Sequence, residues 1–119
     1  MKNELCDRLF NFAVRVINFL KTLPNSPEVK IIRYQLIKSS TSSGANYEEA
    51  QAGSSRPDFA NKVRISLREM RESNYWLRIT SFTVDMNEKQ KEENEYLITE
   101  SDELIKILAS ILNKTQEQK

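Results

Sequence analysis

The chain has no histidine among its 119 residues, and this absence argues against several classes of enzyme. Serine and cysteine nucleophiles are often activated by a neighbouring imidazole, and the di-iron sites of helical bundles use Glu-x-x-His pairs. Neither arrangement can be built from this sequence. The composition therefore predicts a protein that is not an enzyme, binds no metal and carries no cofactor.

Cysteine, glycine and proline are also scarce. The single cysteine, Cys6, can form no internal disulfide, as expected in a reducing compartment. Two glycines and three prolines are too few for a turn-rich sheet fold, so a few long helices are favoured. No apolar run approaches the roughly 20 residues that span a bilayer, and the charged N-terminal residues are unlike a signal peptide. We expect a cytoplasmic protein with no membrane contact.

Apolar residues recur every three or four positions in four segments, which is the spacing of one helix face. The predicted helices cover about residues 4–23, 27–52, 57–84 and 88–114, followed by a frayed tail at 115–119. The total of 119 residues suits a single domain. Four long helices with short connections predict an all-α, antiparallel, up-down-up-down four-helix bundle.

The second segment contains a run of small and polar residues from Ser39 to Ala45, where propensity alone would break a helix. One interpretation is a phosphate-binding loop. The other is a helix whose small residues, Ser43 and Gly44 among them, allow a neighbouring helix to approach closely. We favour the helix because the run contains no glycine-rich phosphate motif with a lysine.

The third segment has a basic edge when its residues are placed at 100° per residue. The edge consists of Arg64, Arg68, Arg71, Tyr75 and Arg78. Guanidinium groups in such a row could contact successive phosphates of RNA or DNA. The alternative is a solvated edge that pairs with the acidic last segment or with Glu69 and Glu72. The charge balance favours the alternative, since residues 54–84 carry +3 and residues 85–119 carry −4.

A second apolar surface is expected in addition to the core. Three of its residues lie away from the core stripe of the third segment and three lie off the stripe of the first: Ile65, Trp76 and Ile79, and Phe10, Val14 and Phe19. Aromatic residues dominate the energetics of protein interfaces, so this surface predicts self-association. The alternative is that Trp76 folds over the rim of the bundle onto a neighbouring helix.

Several motifs follow one another between Ser39 and Leu77. A serine-rich run leads into Ala-Asn-Tyr-Glu-Glu-Ala, then Ser-x-x-Asp-Phe, then Glu-x-x-Glu-x-x-Tyr-Trp-Leu. The residues concerned are Ser43, Gly44, Ala45, Asn46, Glu49, Ala50, Ser55, Asp58, Phe59, Glu69, Glu72, Tyr75, Trp76 and Leu77. Together they resemble the four-helix bundle family named after open reading frames in intervening sequences of bacterial 23S ribosomal RNA genes.

The resemblance implies a homo-oligomeric ring, which in relatives is a homopentamer, and it carries over no catalytic residue. Similar proteins include the accessory subunit of diversity-generating retroelements, a basic pentamer that associates with reverse transcriptase and nucleic acid. This chain, with a net charge of +1, would be a nucleic-acid-binding oligomer or an adaptor for a protein such as a reverse transcriptase.

The motif residues are expected to have structural roles. Ser55 would cap the third helix, with Asp58 three residues further on as in a capping box. Phe59 follows at the start of the same helix. Asn46 and Glu49 lie one turn apart on the second helix and are expected to hydrogen-bond across the bundle.

Overall fold

The computed structural model describes residues 3–53 and 55–117. Nearly all of them belong to four helices, α1 (Glu4–Lys21), α2 (Pro27–Gln51), α3 (Arg56–Thr83) and α4 (Glu88–Glu117). The predicted starts agree to within one residue. Helix α4 continues to Glu117, so the prediction of a frayed tail is wrong for residues 115–117. No glycine or proline ends the helix earlier. Residues 118 and 119 lie outside the described part of the chain.

Side-chain caps explain where the helices begin. Four residues placed just before the helices accept hydrogen bonds from backbone N–H groups of the first turns: Asn3, Ser26, Ser55 and Asn87. Ser55 Oγ accepts from the N–H of Asp58 at 3.2 Å, which confirms the predicted cap of α3. Asn87 and Gln90 cap α4 reciprocally, each accepting the other's backbone N–H, at 2.8 and 2.9 Å. These bonds satisfy donors that a helix start leaves without a partner.

Each helix packs against two neighbours, so that the four close into a bundle of 48 × 24 × 22 Å. Helix α1 lies against α2 and α4, and α3 lies against the same two helices from the other side. Cross-helix bonds between α2 and α3 show that the two run antiparallel, because Ser39 meets Ser73 whereas Ser43 meets Ser66. The predicted four-helix bundle is confirmed.

The core receives apolar side chains from all four helices. Its buried apolar residues are Leu9, Phe12, Val16, Phe19, Leu20, Leu23, Val29, Ile32, Leu36, Tyr47, Ala50, Val63, Leu67, Met70, Leu77, Leu97, Leu104, Leu108 and Leu112. Phe19 is only 3% exposed, so its predicted place on an exposed interface is wrong. It lies towards α4, beside Glu93 and Tyr96. A bundle helix has two neighbours, and its buried arc is therefore wider than one stripe.

Small residues let α2 approach α3 closely. Ser43 Oγ donates to the carbonyl of Ser66 at 2.8 Å, and Ser66 Oγ donates to the carbonyl of Ser43 at 2.7 Å. One turn away, the hydroxyls of Ser39 and Ser73 are 2.8 Å apart. Both pairs are buried, and their hydrogen bonds offset the cost of removing hydroxyls from water. The serine-rich run is therefore a structural part of α2, as the helix interpretation predicts.

On its other side α2 packs against α1 at Gly44. A Cβ atom built on Gly44 would lie 3.5 Å from Leu9 Cβ. The predicted cross-bundle bond of Asn46 is wrong, because its amide donates to the carbonyl of Ser42 in the same helix at 2.9 Å. Glu49 does reach a neighbouring helix, with its carboxylate 3.7 Å from Lys62 Nζ, but as an exposed ion pair.

Two asparagines lie in the contact between α3 and α4. Asn94 of α4 is 1% exposed, and its Nδ2 donates to the carbonyl of Leu77 at 3.2 Å and to Ser81 Oγ at 2.6 Å. Its Oδ1 is buried and has no hydrogen-bond partner. Asn74 of α3 donates to Ser101 Oγ at 2.9 Å. Helix α3 is thus joined to α4 by amides as well as by apolar packing.

Candidate nucleic-acid interface

The basic edge of α3 is displayed to solvent. All of its predicted side chains are exposed: Arg64, Arg68, Arg71, Tyr75 and Arg78. The opposite side of the same helix is anchored in the core by Val63, Met70 and Leu77, which are fully buried. This anchoring fixes the direction in which the edge residues leave the helix over about 20 Å.

Two carboxylates of α4 are paired with α1 and not with α3. Arg8 donates to both carboxylate oxygens of Glu100, at 2.7 and 3.1 Å. Arg15 donates in the same forked way to Glu93, at 2.6 and 2.9 Å. Hydrogen bonding to these carboxylates raises the pKa of both arginines. The carboxylates of Glu93 and Glu100 are therefore already paired with arginines of α1.

The arginines of the α3 edge are neutralised very little. Arg68 Nε lies 3.9 Å from a carboxylate oxygen of Glu69, which belongs to the same helix. Within the described part of the chain, the side chains of Arg64 and Arg71 make neither an ion pair nor a hydrogen bond. The alternative in which this edge forms ion pairs with the acidic last segment is therefore wrong. Pairing with Glu69 holds for Arg68 alone.

Arg78 is held by a hydrogen-bond network that reaches into the contact between α3 and α4. Its Nε donates to Asn74 Oδ1 at 2.9 Å. Asn74 Nδ2 in turn donates to Ser101 Oγ at 2.9 Å and to Asp102 Oδ1 at 3.1 Å. The sequence places Asn74 on the core stripe without indicating this positioning role. A lone asparagine in an apolar stripe is the signal that could have revealed it, because buried amides need partners.

Tyr75 lies on the same edge, between Arg71 and Arg78 in sequence, and is 49% exposed. Its ring meets that of Trp76 edge to face, with centroids 5.5 Å apart and planes at 82°. The guanidinium carbon of Arg78 lies 5.7 Å from the centre of the tyrosine ring. The edge therefore combines arginine side chains with one supported aromatic ring.

The predicted apolar face of α3 is only partly exposed. Trp76 and Ile79 pack partly against the core, and Ile65 is half-buried. This arrangement agrees with the alternative prediction, in which Trp76 folds over the rim of the bundle. Glu69 lies on the same side of the helix, and its pKa is raised by burial and then by the nearby Glu72 carboxylate.

More exposed apolar surface lies along α1. Phe10 is 62% exposed and Val14 is 41% exposed. Together with Ile17 they line a groove of about 340 Å³ between α1 and α2, whose other wall includes Thr41 and Ala45. Of the six residues predicted at an interface, Phe10 and Val14 are thus the two that the fold leaves exposed.

The chain is similar to proteins of one family. The family described as 23S rRNA-intervening sequence protein matches residues 1–110. The chain belongs to this family. The crystal structure of an S23 ribosomal protein family member of unknown function from Bacteroides thetaiotaomicron VPI-5482 is similar, at 37% identity and a TM-score of 0.79. The similarity covers 91% of this chain and 97% of that one. No curated protein matches the chain.

The descriptions of the 23S rRNA-intervening sequence family and of the solved relative name no enzymatic activity. Among the described residues, no group of three or more cysteine, aspartate or glutamate side chains is placed to hold a metal ion. None of the helices in that part of the chain is long and apolar enough to cross a membrane. Two surfaces are candidates for function, the basic edge of α3 and the apolar groove beside α1.

Proposed function

We propose that this 23S rRNA-intervening sequence protein is a cytoplasmic, non-enzymatic, self-associating module that binds RNA or DNA through the basic edge of α3. The observation that supports this best is the distribution of ion pairs. Arg8 and Arg15 neutralise α4 carboxylates. The guanidinium N–H groups of Arg64 and Arg71, in contrast, donate to no other described residue. Such guanidinium groups can contact phosphates, releasing the counterions bound to a nucleic acid.

Reversing the charge of these two arginines tests the nucleic-acid part of the proposal. The double variant Arg64→Glu/Arg71→Glu is compared with Lys21→Glu/Lys30→Glu, which changes the net charge equally on exposed positions of α1 and α2. Mobility shift with structured RNA and with single-stranded DNA is measured from about 50 mM salt upwards. We expect the edge variant to lose binding and the control to retain most of it.

Two results would contradict the proposal. Equal weakening by both double variants would mean that only net charge matters. Absence of a shift for the unchanged protein at about 50 mM salt, where phosphate contacts are strongest, would remove nucleic acid as the ligand.

Self-association is the second part of the proposal. Exposed apolar patches are typical of interfaces, and Phe10 and Val14 supply one. The half-exposed face of Ile65, Trp76 and Ile79 supplies a different one on α3. Contact between two different patches of successive copies is heterologous and can close into a ring. The family resemblance implies a ring of five copies.

A second candidate is an adaptor that holds another protein, such as a reverse transcriptase, without contacting nucleic acid. The apolar groove between α1 and α2 favours this candidate, because its lining suits a protein side chain better than a phosphate. An adaptor would bind a purified partner equally well after Arg64→Glu/Arg71→Glu and would lose it after Phe10→Glu. Co-purification of each variant with that partner separates the two functions.

A further inference from the structure

The aromatic ring on the basic edge suggests which form of nucleic acid the edge would take. Tyr75 is half-exposed and lies among the arginines of this edge. Exposing an aromatic ring forgoes the burial that usually stabilises it. Arginines can contact the phosphates of a duplex or of a single strand, whereas an exposed ring beside them can in addition stack on an unpaired base.

Trp76 supports the tyrosine ring from the protein side. The rings meet edge to face at 5.5 Å, and Trp76 itself packs partly against the core. The tyrosine ring therefore contacts a side chain that is itself partly packed into the protein, which restricts the positions open to the ring. A ring that is ordered before binding loses little entropy when a ligand stacks on it.

Arg78 lies near the tyrosine ring but does not close onto it. Its guanidinium carbon is 5.7 Å from the centre of Tyr75, whereas that of Arg15 is only 3.8 Å from the centre of Tyr96. The Asn74 amide holds Arg78 Nε at 2.9 Å and so keeps the guanidinium in place. A flat base could therefore stack on the exposed part of the Tyr75 ring, beside this guanidinium and without displacing it.

We infer that the α3 edge selects single-stranded nucleic acid, with one unstacked base placed on the Tyr75 ring beside Arg78 while Arg64, Arg68 and Arg71 contact phosphates. The inference rests on the proposed nucleic-acid binding and adds the class of strand. Bases of a single strand can turn a face towards an aromatic ring or a guanidinium plane, whereas those of a duplex are already stacked on each other.

Replacement of the ring tests this inference. Tyr75→Ala should weaken binding of a mixed-sequence single strand, RNA or DNA, between about five-fold and about 150-fold, the range for loss of one stacked base. Tyr75→Phe keeps the ring and should bind within about two-fold of the unchanged protein. Tyr34→Ala removes a tyrosine of α2 that is 65% exposed and is the control. Binding of the duplex made from the same strand should be the same for all four proteins.

Trp76 provides a second readout, because it is the single tryptophan of the chain. A base stacked on Tyr75 lies close to the indole, so the unlabelled single strand should change tryptophan fluorescence in the unchanged protein and in Tyr75→Phe. The duplex should change it much less. Tyr75→Ala should lose the response to the single strand.

The outcomes separate this inference from the proposed function. If single strand and duplex bind equally and Tyr75→Ala changes neither, while Arg64→Glu/Arg71→Glu abolishes both, the basic edge binds nucleic acid and the stacking inference is wrong. If the unchanged protein binds neither form at about 50 mM salt, both fail together. Weakening by Tyr34→Ala equal to that by Tyr75→Ala also contradicts the inference.

Discussion

The contact between α1 and α2 at Gly44 has room for one more carbon atom. A Cβ on Gly44 would meet Leu9 Cβ at 3.5 Å, an ordinary contact distance. Gly44→Ala should therefore stabilise the protein, by about 0.5–1 kcal/mol, because glycine inside a helix carries an entropic cost. Urea denaturation measures the change. At Gly53 the same Cβ would lie 3.1 Å from the backbone oxygen of Ala50, so Gly53→Ala should give no gain. A loss of stability in Gly44→Ala larger than in Gly53→Ala would contradict this packing.

The stability of the folded protein should depend on pH through the partly buried carboxyl group of Glu69. Its pKa is raised by burial and by Glu72, so the folded state holds the proton to a higher pH than the unfolded state does. The stability that this group contributes is present below the unfolded pKa of about 4.3 and is lost as pH rises through the folded value. Glu69→Gln cannot ionise, so it should be more stable than the unchanged protein at neutral pH.

Urea denaturation of Glu69→Gln near neutral pH and near pH 4 checks this expectation. The advantage of the variant should shrink at the lower pH, where the carboxyl of the unchanged protein is protonated. Glu95→Gln, at an exposed position of α4, is the control for removing a negative charge. An advantage of Glu69→Gln that persists at the lower pH would have to come from something other than ionisation.

At the scale of helices, α1 is joined to α4 by two forked ion pairs as well as by apolar packing. Arg15 both pairs with Glu93 and lies over the ring of Tyr96. A double-mutant cycle of Arg15→Ala and Glu93→Ala should give a coupling energy near the upper end of the 0.2–1 kcal/mol range, roughly 1 kcal/mol, because the pair is bidentate. In about 1 M salt the coupling should fall, since the screening length is then about 3 Å.

The ion pair of Lys62 with Glu49 is the matched control for this cycle. It makes one contact at 3.7 Å, with the glutamate well exposed. Its coupling energy should be close to zero at either salt concentration. A cycle for Arg15 and Glu93 no larger than this one would mean that packing and not charge holds α1 to α4.

Helix starts could be predicted because their signals are local. Ser26 precedes Pro27 and Ser55 precedes Asp58, and each cap is decided within one turn of the chain. The end of α4 was harder to predict, since polar residues such as Thr115 permit a helix without requiring one. The serine-rich run is ambiguous for the same reason until Ser66 of another helix meets it.

The surfaces could be predicted less well because they depend on the neighbours of each helix. The residues of the basic edge follow from the helical period alone, and all are exposed. Phe19 and Trp76 lie off one core stripe but still pack in or against the core, which a single-helix pattern cannot show. The partners of Glu93 and Glu100 depend on which helix lies beside α4.

The whole molecule offers two apolar patches, and the oligomer is the simplest property to measure. Light scattering at micromolar concentration should give a mass near five times the 13.9 kDa of one chain. Phe10→Glu should dissociate the assembly, because it buries a charge in the proposed contact. Asn11→Glu adds the same charge to the next, exposed position of α1 and should leave the mass unchanged. A mass near 13.9 kDa for the unchanged protein would reject self-association.

The buried amides between α3 and α4 also set the longitudinal alignment of the two longest helices. Sliding α4 by one turn, about 5.4 Å, would carry Asn94 away from the Leu77 carbonyl and from Ser81. The same slip would part Asn74 from Ser101. Each amide left buried and unpaired would cost about 1–3 kcal/mol, a penalty that leucines alone would not impose. The two asparagines thus favour this alignment over its neighbours, as a buried asparagine does in a coiled coil.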